Sequence, residues 1–144
     1  MATAEDISVP QTESPCEFER SSQLFYEAEK LRHSVDDPTA AEQKYREAMA
    51  ATGSYGVFYH LAQGRIYSLR GNIEYALTEF EIASEINNHI PAVFVNLGLV
   101  YRQMAGRLRS QHLIAKADEM IQEHYCPGIE EGEPVFTQCS SACN

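Results

Sequence analysis

Tryptophan is missing from this 144-residue chain, and Lys and Arg together number only 11 against 21 Asp and Glu. The resulting net charge of −10 argues against nucleic acid as a partner, because phosphate binding needs clustered Lys and Arg. No apolar run is long enough to cross a bilayer, and the first residues lack the basic and apolar stretches of a signal peptide. No membrane partner is therefore expected, and the setting predicted is cytoplasmic or nuclear. Strand signals are nearly absent. So are catalytic signatures: there is no H-E-x-x-H, no phosphate-cradling glycine loop and no G-x-S-x-G elbow. Acid pairs such as Glu119 and Glu123, with Lys116 nearby, read as a solvated helix surface. The chain reads as a non-enzyme without a cofactor.

Cysteine is sparse and unpatterned. Cys16, Cys126, Cys139 and Cys143 lack the paired C-x2-C knuckles of a zinc site. His124, Cys126, Cys139 and Cys143 would make four ligands, but no hydrophobic frame holds the stretch between them, so no metal is expected. Free thiols in a reducing compartment are the expectation. Cys143 is second from the end, which excludes the prenylation signal.

What is present is a pattern of small, bulky and small residues at offsets of four and seven. Ala41, Tyr45 and Ala48 carry it first, then Ala76, Phe80 and Ala83, then Ser110, Ile114 and Ala117. It recurs after 35 residues (41 to 76) and again after 34 (76 to 110). Such offsets share one helix face, where small residues let a neighbouring helix approach and the bulky one fills the groove. Turn residues divide the chain around these stripes. Asp36-Asp37-Pro38-Thr39 breaks a first pair of helices, with Thr39 read as the N-cap of the second. Gly53-Ser54, Gly71-Asn72 and Gly106 mark further ends, Asn72 is read as a cap, and Pro91 suits a first helical turn. The predicted helices are about 21–34, 39–52, 55–70, 73–87, 91–104 and 107–125.

Ahead of the last stripe runs Phe94-x2-Leu97-Gly98-x2-Tyr101, and ahead of the second Gly64-x2-Tyr67. Together with the stripes these segments resemble the tetratricopeptide repeat, with its W-x2-L-G-x2-Y and A-x3-F signatures. The likeness spans residues 21–125. It departs at His60 and Gln63, where Trp and Leu would stand, at Asn88 in place of Pro, and in the first unit, where Glu29 and Lys30 interrupt the stripe. The resemblance implies an all-α fold, a right-handed superhelix of about three antiparallel helix pairs with a capping last helix. Residues 1–20 and 126–144, acidic and rich in Ser, Thr, Pro and Gly, are expected to be flexible tails.

The same resemblance implies a concave groove lined by the first helix of each pair and a role as an adaptor, co-chaperone or scaffold binding a peptide or partner subunit. The groove residues predicted are Phe25 and Arg32; Phe58, Leu61, Arg65 and Leu69; and Val95, Asn96, Leu99 and Arg102. Three arginines among apolar side chains suit an acidic and hydrophobic partner segment, since Arg grips a carboxylate through two parallel contacts. The clamp used for heat-shock chaperone tails is incomplete, for Ala62 stands where an Asn is wanted, although Lys30 and Asn96 are present. Size, acidity and repeat number also match bacterial secretion chaperones that hold a client. A further alternative is self-association or subunit assembly through Leu113, Met120 and Ile121 of the last helix.

Overall fold

A computed structural model describes residues 12–35, 37–104 and 106–123. The expectations for residues 1–11 and 124–144, including those for His124, Cys126, Cys139 and Cys143, lie outside this range. Among the described residues there are six α-helices and no strand: α1 (Pro15–Lys30), α2 (Pro38–Ala50), α3 (Val57–Leu69), α4 (Ile73–Ile86), α5 (Pro91–Gln103) and α6 (Arg107–Glu123). A five-residue π-helical turn, Leu31–Val35, continues α1. No helix among the described residues is long and apolar enough to cross a membrane.

The first helix starts at Pro15 rather than near residue 21, because a capping box stands just ahead of it. The Ser14 hydroxyl accepts from the Glu17 backbone N–H at 3.1 Å, and the Glu17 carboxylate accepts from the Ser14 N–H at 3.0 Å. These two bonds satisfy donors that a helix start otherwise leaves bare. Phe18 then packs edge-on against Phe58, so this stretch belongs to the core. Cys16, on the same first turn, is disulfide-bonded, which corrects the expectation of a free thiol. The helix fixes the position of a residue in the stretch expected to be a flexible tail.

Two other caps differ from expectation. Asp37, not Thr39, caps α2: its carboxylate accepts from the N–H groups of Thr39 and Ala40, both at 3.1 Å, while Pro38 takes the first helical position. Asn72 occupies the cap position of α4 but makes no side-chain cap bond. Pro91 opens α5 as expected. Gly53 and Gly71 adopt φ of 114° and 80°, a region L side chains rarely enter, and so reverse the chain after α2 and α3.

The recurring stripes are the buried faces of α2, α4 and α6. Ala41, Tyr45, Ala48, Ala76, Phe80, Ala83, Ser110 and Ala117 are buried, while Ile114 is half-buried. Each large apolar side chain so placed contributes about 1.5–3 kcal/mol. Opposite Phe80 stands Gly64, where an added Cβ would lie 2.4 Å from the ring; opposite Ile114 stands Gly98, where it would lie 2.7 Å away. Along α3 and α4, Tyr67 meets Tyr75, Gly64 meets Phe80 and His60 meets Glu79, so the two helices run antiparallel. The pairs Tyr101 with Arg109 and Phe94 with Lys116 show the same for α5 and α6. Each helix packs on the next, and α1 also touches α3, as α3 touches α5.

Candidate functional site

Where α1, α2 and α3 meet, Glu29 collects three partners. Arg65 of α3 grips its carboxylate with two prongs, Nε donating to Oε1 at 2.7 Å and Nη2 to Oε2 at 2.9 Å. The Tyr45 hydroxyl of α2 donates to Oε1, and Arg32 donates to Oε2 at 3.2 Å. Burial alone would raise the Glu29 pKa, but Arg65, Tyr45 and Arg32 together outweigh it and hold the carboxyl at about 2. Burial first, then the Glu29 charge, pushes the Tyr45 hydroxyl up, so it stays a donor. His33 receives an Arg32 N–H on Nε2 at 2.8 Å; burial first and Arg32 second lower its pKa. A ring that accepts there is neutral, so the 3.9 Å approach of His33 to Glu29 is not an ion pair.

This network decides how the predicted groove residues are used. Phe25, Phe58 and Leu61 are buried in the core, where Phe25 lies 5.4 Å from Phe58 and 5.6 Å from Tyr45 between ring centres. Arg65 is spent on Glu29; the two side chains are only 7% and 15% exposed. Arg32 is half-buried on the same carboxylate, with its Nε buried and unpartnered. Asn96 is buried too, donating to the Ala92 carbonyl at 2.7 Å and leaving its own carbonyl oxygen without a partner. Leu69, Val95 and Leu99 are half-buried, and Arg102 is exposed. Arg102 makes no ion pair among the described residues.

Val95, Leu99 and Arg102 stand four and three residues apart and share one face of α5. Beyond Arg102, around the turn into α6, Met104 and Leu108 are 45% and 83% exposed. Of the last-helix residues, Leu113 is buried and Met120 half-buried against the core, while the side chain of Ile121 lies outside the described part.

Reading the sequence alone missed Glu29 as an organising residue. The sequence offers Glu29 as a groove-lining residue and as a charge interrupting the apolar stripe of Phe25, Ala28 and Leu31, and that interruption is the signal of its role. A carboxylate on a buried face requires a partner, and Arg65 is that partner. His60, which stands where the repeat signature has Trp, faces the Ser54 carbonyl at 2.7 Å through Nε2 and Glu79 at 3.2 Å through Nδ1.

No protein-family model matches the chain, and no curated protein matches it significantly.

Proposed function

We propose that the chain is a non-enzymatic interaction module, a tetratricopeptide-like array of three helix pairs that holds an acidic, apolar segment of a partner protein against α5. The pattern of helix contacts supports the array: α1, α3 and α5 touch in succession, whereas α2, α4 and α6 touch only neighbours in sequence. The observation that carries the reading is the difference among the three arginines. Arg32 and Arg65 are consumed by Glu29, whereas Arg102 is exposed and makes no ion pair among the described residues, on one face with half-buried Val95 and Leu99. An Arg next to apolar surface suits a carboxylate beside a Leu or Phe, and a charge-assisted contact of this kind contributes about 1.5–3 kcal/mol.

Arg102→Glu is therefore expected to weaken capture of acidic, apolar peptides about tenfold or more while leaving the melting temperature unchanged. Equal capture by the variant overturns the reading. Charge reversal at Arg65 is unsuitable for this purpose, since it would set a second carboxylate against buried Glu29. A second reading, assembly with another subunit through α6, draws on exposed Met104 and Leu108 instead of Leu113. It expects Leu108→Asp to change particle size in light scattering.

A further inference from the structure

The N-terminal end of α3, the C-terminal end of α4 and the segment ahead of α1 enclose a cleft of about 510 Å3. That lies within the range of about 300–1,000 Å3 typical of small-molecule sites. One wall is apolar and includes Val57, Ile82 and Ile86, the last 42% exposed. Glu13 also lines the cleft, and no Lys or Arg does among the described residues.

Glu13 is held in place but not neutralised. Its Oε2 accepts from the hydroxyls of Thr52 and Ser21, which fix its orientation, and no cation pairs with it among the described residues. The carboxylate sits against bare backbone at Gly56, where an added Cβ would lie 2.5 Å from Glu13 Oε2. Burial pushes the Glu13 carboxyl up, as befits a charge without a counter-ion, although the two hydroxyls oppose that. Two other polar side chains at the cleft are occupied: both His60 ring nitrogens face oxygens, and the Tyr55 hydroxyl donates to Glu17 at 2.9 Å.

A half-buried carboxylate without a paired cation among the described residues, lining one cleft with exposed Ile86, selects for positive charge on an apolar stem. A hydrated metal ion would leave the isoleucines uncovered, and a neutral apolar ligand would leave the charge uncompensated. We propose that the cleft binds a small organic cation, a primary alkylammonium whose charge meets Glu13 and whose stem lies on Ile82 and Ile86. This inference is independent of the α5 surface.

Titrating the full chain with butylammonium chloride, followed by NMR at constant ionic strength, tests it against 1-butanol, the neutral counterpart. Butylammonium is expected to give saturable shifts at Tyr55, Ile82 and Ile86, and 1-butanol none. Glu13→Gln keeps an oxygen for Thr52 and Ser21 but removes the charge, and is expected to weaken binding about tenfold or more. Ile86→Lys places a tethered ammonium on an alkyl stem at an exposed position and is expected to abolish butylammonium binding. Should Glu13→Gln fail to fold, Ile86→Lys decides. Equal binding of 1-butanol, no saturable shift in the cleft, or unchanged binding in either folded variant overturns the proposal.

Discussion

Removing one charge from the Glu29–Arg65 pair leaves its partner buried and alone, and breaking such a pair costs about 3–5 kcal/mol. Glu29→Gln is expected to lose stability on that scale in urea unfolding, with Arg65 as the stranded charge; a loss under about 1 kcal/mol would show that water reaches the site. The pH dependence has a definite sign. In the folded chain Glu29 is held at about 2, below its ordinary 4.5. The unfolded state therefore takes up the proton first as pH falls. The stability supplied by Glu29 is complete above about 4.5 and is lost as pH falls toward 2. Glu13, raised by burial, acts in the opposite sense. Glu29→Gln should thus flatten the acid limb of the urea midpoint against pH, and a limb as steep as in the parent chain would contradict the network described for Glu29.

At the scale of elements, two glycines govern how closely helices pair. Gly64→Ala gains helix propensity of about 1 kcal/mol, yet its Cβ would strike the fully buried Phe80 ring. The expected net result is a destabilisation of about 1–3 kcal/mol, measured as a lower melting temperature. Gly98→Ala meets Ile114, a side chain that can turn aside, but also the Ser110 backbone carbonyl at 3.2 Å, which cannot, so it is expected to destabilise as well. Asp37→Ala removes the acceptor for two N–H groups of α2 and is expected to cost about 1 kcal/mol; unchanged stability would mean that water caps the helix as well.

These elements were largely legible in the sequence, because the small-bulky-small stripes have a period that only a helix face satisfies. Two features escaped. The start of α1 at Pro15 depends on a capping box formed by Ser14 and Glu17, in a stretch whose composition reads as a tail. The fate of Arg65 depends on Glu29, 36 residues earlier, and no local pattern links them. The arginine triplet was readable as residues but not as a site, since burial and pairing, which separate Arg102 from the other two, arise only when α1 packs on α3.

At the scale of the whole molecule, the helices are tied unevenly. The Glu29–Arg65 pair joins α1 to α3 and Arg70 joins α3 to α2 through Glu42, whereas among the described residues α6 touches only α5. Native-state hydrogen exchange is expected to show α6 opening first and α3 last, and uniform protection would argue against a stack whose stability is set by neighbours. Arg102, without an ion pair among the described residues, lies on α5, the helix between α6 and the rest.

Binding of the full chain and of Arg102→Glu to an array of peptides varying in acidity and apolar content tests the central claim most directly. The account expects the parent chain to retain peptides that combine a carboxylate with Leu or Phe, and the variant to lose them at unchanged melting temperature. Identical retention by both chains, or retention indifferent to peptide charge, would contradict it.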